Sequence, residues 1–555
     1  MDSARLKMVA CLFDDMHRIP AGTSAPKLLA VCAVLAAITC SLWHIMTSRA
    51  CPSFDEAWYL ENSFRFYHAL RTEGAWAFLR AYAVSFRLKA PLIAVLPLPM
   101  YVLFGPSVKA ALSVNLVGQG LLGYYVFRLG QRCFNDVAAA MSVFIAMTLP
   151  LLFGLSRVFF VETWLAAIVT AFAWHLCASD GLRRRGEAVP LGVLSGAGML
   201  IKSMFPMYIL GPVADILWRR LREGGRTALR EMEGPIKIVL GLGGAIALSW
   251  YAFNGVTCAG FMLKAGFGDI GAHYAGAGLL GYWTALIREG VSQYYFAAAV
   301  VALVWLRARG ARFKDWWGDP GMRMILLWFV VPLLIASFGV NREPRYAAAA
   351  LPAFALLLGG AVERLVRGRP RAWLMFGLFC LFPAGQFMTQ TFGQGPLPLR
   401  RFLPAETTYA RPPAPPVRWD AEGLAERLAA AAGDGAVIAI GLEHAGLNAN
   451  LLACYAALHD RTVAFMNLGH MEANPERAIV RLMDRGADHL VFVDGMPQEE
   501  LLPSARRLDP ALRELVRNGK LPFRIVETYD LAPGLTATLW KRTAPLRIVG
   551  VPPGA

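Results

Sequence analysis

Ser53–Arg65 reads SFDEAWYLENSFR and stands just after the first long apolar run of the chain, Leu28–Met46. That run is about 19 residues, long enough to cross a bilayer, so the polypeptide leaves a membrane here. Asp55 and Glu56 sit side by side among Trp58, Tyr59, Phe64 and Phe66. Charge is costly at that depth, and an acidic pair in apolar, aromatic surroundings marks a functional site. The same residues also spell a helix start, with Ser53 as the cap and Glu56 three positions on completing a capping box. Glu56 is therefore either engaged at the cap or part of the site. Asp55, in the first turn, is free to project into a cavity, and Tyr59 lies one turn further along.

The rest of the composition fits a membrane protein. Hydrophobic residues make up 56% of 555, and the mean hydropathy is +0.44. Both values exclude an ordinary soluble globule. Residues 1–27 carry charges with Pro20, Gly22 and Pro26 and read as a short cytoplasmic tail. No small-residue cleavage signal follows the first run, so it is expected to stay as an anchor. Apolar runs recur to Met388, which makes residues 28–390 a membrane domain. A Pro-rich linker, 391–416, then leads into a soluble region, 417–555. The net charge of +16 raises the question of nucleic acid. Its distribution answers no, because Arg183–Arg185, Arg219–Arg230, Arg307–Lys314 and Arg364–Arg371 punctuate apolar runs. That is the positive-inside pattern of a bacterial inner-membrane protein. Nine cysteines include no C-x-x-C pair, so a zinc ribbon and a thioredoxin-like motif are both absent.

With the Arg clusters taken as cytoplasmic, the chain threads into about eleven transmembrane helices, N-terminus inside and C-terminal region periplasmic. Pro91–Phe104 is about 14 residues with three prolines and is expected to be re-entrant or interfacial. Lys202 falls at the outer tip of two shorter helices, Val189–Ile201 and Ser203–Trp218. A Gly-rich outer loop, Asn254–Glu289, carries His273, Tyr274, Tyr282 and Trp283, aromatics suited to sugar faces or to an interfacial belt. This threading places Asp55, Glu56, Arg157, Glu162, Lys202, Arg342, Arg345 and Tyr346 on one outer face. Beyond the linker, Ala436–Ile440, Thr462–Met466 and His489–Val493 read as buried strands between helices Ala445–Leu458 and Pro475–Arg485. The alternation predicts a small α/β domain with a parallel sheet, and Phe523–Tyr529 and Leu535–Trp540 predict an antiparallel pair. No G-x-G-x-x-G, P-loop or H-E-x-x-H occurs in it.

Carboxylates and cations at one membrane face suit transfer from a lipid phosphate. Arg grips phosphate through two parallel bonds and Lys as a point charge. Lys89, Arg157, Lys202, Arg342 and Arg345 are the candidates for that grip. Each is also explicable alone as interfacial snorkelling. Glu162, in SRVFFVETW, is the second acidic point and is expected either to pair with Arg157 at a helix end or to serve near Asp55 as a second catalytic carboxylate, supporting it or holding a metal.

Five segments in order carry a family resemblance: S-F-D-E-A-W-Y after the first span, K-A-P-L at Lys89–Leu92, S-R-V-F-F-V-E at Ser156–Glu162, G-A-G-M-L-I-K at Gly196–Lys202, and R-E-P-R-Y at Arg342–Tyr346. The chain resembles the GT-C glycosyltransferases that use polyprenyl phosphate, the group of protein O-mannosyltransferases and lipid A aminoarabinose transferases. The resemblance implies a GT-C-like helical membrane domain with Asp55 as the catalytic carboxylate. It sets Glu162 where an Asp is commoner, as a second acidic residue, and Lys89 at the donor site. It implies a polyprenyl-phosphate-linked sugar as donor and a lipid, glycan or protein as acceptor, in contact with membrane lipid. No nucleic acid is expected, no cofactor is certain, and a divalent metal is left open because no ligand spacing singles out a site. A transporter or a non-catalytic assembly subunit is the competing expectation; a transporter would want ionisable residues mid-membrane on two similar halves.

Overall fold

Ser24–Thr47 (α1) is a helix with a single lysine at its start and a largely apolar body, the expected anchor. In a computed structural model, residues 24–268, 271, 278–393, 406–415, 417–468 and 473–546 are described. Six of the described helices are long and apolar enough to cross a membrane, or seven if the pair Gly278–Val291 and Gln293–Ala308, bent by 98°, counts as one span. The expected eleven is therefore not established. Several apolar runs fold as shorter helices, namely Leu92–Phe104, Asp136–Thr148 and Glu162–Ala178. A 13-residue helix rises only about 20 Å, short of a hydrocarbon core of roughly 30 Å. Leu92–Phe104 is broken at Pro97, and its tip residues Val102, Leu103 and Phe104 are exposed.

Phe54–His68 (α2) follows the anchor at an angle set by the extended backbone of Ser53. Glu162–Ala178 (α3) is buried on nearly every side, from Leu165 to Ala178, and forms the centre of the helical packing. A helix apolar all round belongs in such a position. Arg185–Ile201 (α4) ends at Lys202, whose backbone is extended, before Phe205–Phe267 (α5) begins. Lys202 thus occupies a break between two helices, as expected. The second of them runs much further than Trp218, with a kink at Gly225 (φ 51°). Asn254–Phe267, expected as loop, is the end of α5. The reason is tertiary: Asn254 Nδ2 donates to Ala83 O at 2.7 Å and Trp250 Nε1 to Ser85 O at 3.2 Å, fastening this turn despite its glycines.

The C-terminal region forms the expected mixed sheet. Val437–Ile440 (β1) pairs in parallel with Ala464–Asn467 (β2) and His489–Asp494 (β3). Phe523–Ala532 (β4) and Leu535–Arg542 (β5) add an antiparallel pair, giving the order β2-β1-β3-β5-β4. Ala449–Leu458 (α6), capped by Asn448, packs along α2. Asn450 Nδ2 donates to Phe54 O at 3.0 Å, and His68 Nε2 lies 3.2 Å from Leu458 O. The helix that carries Asp55 is therefore held at both ends by the C-terminal region.

Candidate active site

The capping box at the start of α2 is formed. The Ser53 N–H donates to Glu56 Oε2 at 2.9 Å, and the Phe159 N–H donates to Glu56 Oε1 at 2.8 Å. Both carboxylate oxygens of Glu56 are engaged by backbone, one within its own helix start and one in the segment leading into α3. Glu56 is a brace that ties two chain segments together.

Asp55 is left facing two cations. Lys89 Nζ lies 3.0 Å from Oδ1, and both terminal nitrogens of Arg345 lie 3.3 Å from Oδ2. The Asp55 side chain keeps 31% of its exposure, so the carboxylate is reachable. Burial alone would raise its pKa; Lys89 and Arg345 outweigh burial and hold it at about 2. Asp55 is thus an anion across the physiological range.

Lys89 is presented by a strained loop. Phe86 and Arg87 both have positive φ, 55° and 56°, and their turn is closed by i→i+2 bonds from Arg87 N to Ser85 O and from Leu88 N to Phe86 O. For non-glycine residues that backbone costs roughly 1–2 kcal/mol each, a kind of strain that collects at functional sites. The gain is position. Lys89 Nζ sits 5.0 Å from the Trp58 ring centroid and 5.3 Å from that of Tyr59, and Phe86 packs on both rings. Tyr59 is therefore a wall of the Lys89 pocket, not an isolated interfacial aromatic.

Arg345 comes from the turn Pro344–Ala350 at the other end of the sequence. It also pairs with Glu343, and its guanidinium lies 5.0 Å from the Phe160 ring centroid and 5.7 Å from that of Tyr346. Behind this pair, Lys202 Nζ donates to Glu162 Oε1 at 2.7 Å and stands 4.7 Å over the Tyr346 ring. Glu162 is 2% exposed, and its Oε2 has no hydrogen-bond partner among the described residues. Tyr346 is fixed by its neighbours: its carbonyl accepts from Tyr208 Oη at 2.7 Å and its hydroxyl from Asn341 Nδ2 at 3.2 Å. Three cations and three carboxylates (Asp55, Glu162, Glu343) thus share one neighbourhood.

Arg157 is elsewhere. It is 4% exposed, donates to Thr391 Oγ1 at 2.6 Å, and is covered by the Phe153 and Phe387 rings at 4.9 and 5.6 Å. The expected pairing of Glu162 with Arg157 does not form, because Lys202 takes that carboxylate. Arg342 donates through Nε to Ser337 O at 3.1 Å, finishing the preceding helix. Tyr274 and His273 lie outside the described residues. Among the described residues, no three His, Cys, Asp or Glu side chains gather in a way that could hold a metal.

Glu343, Phe160 and Tyr409 were not picked out from the sequence. Glu343 lay in view inside R-E-P-R-Y. Phe160 lay in the R-V-F-F-V run with nothing to set it apart from core. Tyr409, whose ring meets Phe160 at 6.3 Å, sits in the Pro-rich linker, where no local pattern points to a site.

The fold is that of the GT-C glycosyltransferases. Residues 89–248 match the family model of dolichyl-phosphate-mannose-protein mannosyltransferases, a stretch that holds Lys89, Glu162 and Lys202. The chain is similar in structure to ArnT from Cupriavidus metallidurans bound to undecaprenyl phosphate, with a TM-score of 0.60 at 15% identity over 93% of this chain and 98% of that one. Against the same protein in the apo state the TM-score is 0.59 at 16% identity, with the same coverage. At that identity the likeness establishes the shared fold. No curated protein matches the chain.

Proposed function

We infer that the chain is a membrane glycosyltransferase that moves a sugar from a polyprenyl phosphate to an acceptor at the periplasmic face. One observation carries this: an ionised, reachable aspartate is bracketed by a lysine and an arginine at the end of the membrane helices. The family match and the undecaprenyl phosphate bound by the similar ArnT structure support it. The eleven crossings, the bacterial inner membrane and the division at residues 391–416 belong to the same reading.

The chemistry follows from charge. The donor is a phosphodiester with one negative charge. Its departure as a phosphomonoester adds a second, so cations placed at the phosphate favour the transition state over the ground state. Lys89 and Arg345 are those cations. Asp55, held at about 2, is a weak base while both cations are on it. A phosphate that takes them over frees Asp55 and makes it more basic just when the donor is present. The acceptor hydroxyl then gives its proton to Asp55 and attacks the anomeric carbon. The bond from that carbon to the phosphate oxygen breaks, and its electron pair leaves with the phosphate. One displacement inverts the anomeric centre. Glu162, buried behind Lys202, sets the field around that lysine, and Glu56 braces the start of the Asp55 helix.

Transfer from radiolabelled undecaprenyl phosphate linked to mannose, glucose or 4-amino-4-deoxyarabinose, by the full chain in lipid nanodiscs, tests the reading. Asp55→Asn is expected to abolish transfer while leaving undecaprenyl phosphate bound. Turnover near the wild-type level in that variant overturns the assignment. Mass spectrometry of envelope glycolipids with and without the gene identifies the acceptor.

A further inference from the structure

The segment after the last membrane helix is not a slack tether where it passes the site. Thr407–Ala410 closes on itself, with Thr407 N donating to Ala410 O at 2.8 Å and Ala410 N to Thr407 Oγ1 at 3.0 Å. Thr408 is tied to Glu289 through its backbone and hydroxyl. On the far side, His44 Nε2 lies 3.2 Å from Arg411 O, and Arg49 N donates to Ala414 O at 3.1 Å. Ala410 is fully buried against Phe153, Phe387 and Cys40. The approach is so close that a Cβ on Gly154 would stand 2.8 Å from Ala410 N and from the Tyr409 carbonyl carbon. Gly154 is the notch in which this turn is seated.

The seat aims one side chain inward. The Tyr409 ring meets Phe160 edge-on at 6.3 Å and 74°, and the Phe160 ring in turn lies 5.0 Å from the Arg345 guanidinium. Phe160 is 7% exposed, so it can transmit a push but has little room to turn. Burial pushes the Tyr409 phenol up from its ordinary range, and the nearby Arg345 guanidinium opposes that shift. We propose that Tyr409 is a positioning residue of the site: seated by Gly154, it presses Phe160 onto Arg345 and so holds that guanidinium in the orientation that meets the donor phosphate. The segment after the membrane domain then forms part of the phosphate clamp. The inference rests on the function proposed above.

The probe is undecaprenyl phosphate, with undecaprenol as the control lacking the phosphate, both titrated against the full chain in nanodiscs. Loss of one aromatic contact is worth roughly two- to tenfold in affinity. Tyr409→Ala is expected to weaken undecaprenyl phosphate by that factor and leave undecaprenol unchanged, whereas Tyr409→Phe, which keeps the ring, restores wild-type binding. Gly154→Ala, which lifts the turn from the opposite side, is expected to reproduce the phosphate-specific loss if it folds; the Tyr409 pair decides the matter if it does not. Equal weakening of both lipids, or no weakening of either, overturns the positioning role while leaving the function standing. Failure of the wild-type chain to bind undecaprenyl phosphate any better than undecaprenol overturns the function and the positioning role together.

Discussion

Arg157 and Arg345 look alike in the sequence: each borders an apolar run on the outer face, and each is a candidate phosphate ligand that interfacial snorkelling would equally explain. Folded, they are opposites. Arg345 turns its fork toward Asp55 with Glu343 beside it, at the edge of a carboxylate that solvent reaches. Arg157 packs beside two phenylalanine rings that touch each other, with Thr391 as its close partner, and among the described residues it has no ion pair. A cation that faces a carboxylate can exchange it for another anion. A cation packed beside rings, whose two terminal nitrogens end on carbonyl and hydroxyl oxygen, is part of the packing. The difference lies in what each guanidinium faces, which proximity to an interface does not reveal.

The sharpest way to break this contrast is at the carboxylate that Arg345 faces. Asp55→Asn keeps the shape and removes the charge, and transfer is expected to fall by roughly 10²–10⁴-fold. Measured as turnover per folded protein, with undecaprenyl phosphate binding as the control, a loss under tenfold would return Asp55 to a purely electrostatic role. Next in size is the cation. Arg345→Ala deletes charge-assisted bonds worth about 1.5–3 kcal/mol each, so the donor KM is expected to rise by roughly 10- to 100-fold. Arg345→Lys recovers only part of this, because an ammonium does not reproduce the two-pronged geometry. An unchanged KM in both variants would remove Arg345 from the phosphate.

Much of this contrast was hidden from the sequence for identifiable reasons. The start of α2 was legible because S-x-x-E is a local pattern, and Asp55 because a charge at that depth needs a purpose. Lys202 was legible because it interrupts an apolar run. The C-terminal strands were legible from short apolar stretches between turn signals. What joins Asp55 to Arg345 is a contact across 290 residues, set by how the helices pack and by nothing near either residue. The Lys89 loop reaches positive φ at Phe86 and Arg87, residues that give no glycine warning. The glycines of Asn254–Phe267 suggested a loop, and tertiary bonds to Ala83 and Ser85 made it helix. The inward turn of Arg157 likewise depends on Phe387 and Thr391, supplied by a helix more than 200 positions away.

A pH profile sharpens the comparison from the side of Asp55. Its pKa is depressed from 3.8 to about 2 in the free protein. The stabilisation from its ion pairs is therefore present above about pH 4 and lost as pH falls through about 2. The kcat/KM profile reports the free enzyme, and Asp55 is expected to add no acid limb to it above pH 4. The kcat profile reports the donor complex, in which phosphate shares Lys89 and Arg345, so its acid limb is expected at higher pH. Coincident acid limbs would mean that Asp55 keeps both cations while the donor is bound.

The smallest expected effect is at the other pole. Arg157→Met removes a buried charge while keeping a long flexible side chain against Phe153 and Phe387. Taking a cation out of so apolar a place relieves its desolvation, and replacing buried charges by apolar groups is often neutral or stabilising. Against that stand the lost hydrogen bonds to Thr391 Oγ1 and Gln390 O, about 1 kcal/mol each. The two effects oppose, so the thermal midpoint in nanodiscs is expected not to fall. Affinity for undecaprenyl phosphate is expected to stay within about twofold, since the contacts found for Arg157 go to Thr391, Gln390 and the Phe153 and Phe387 rings and not to Asp55, Lys89 or Arg345. If Arg157→Met instead weakened that lipid as much as Arg345→Ala does, the two arginines would share a ligand, and the distinction between packing cation and phosphate cation would fail for this protein.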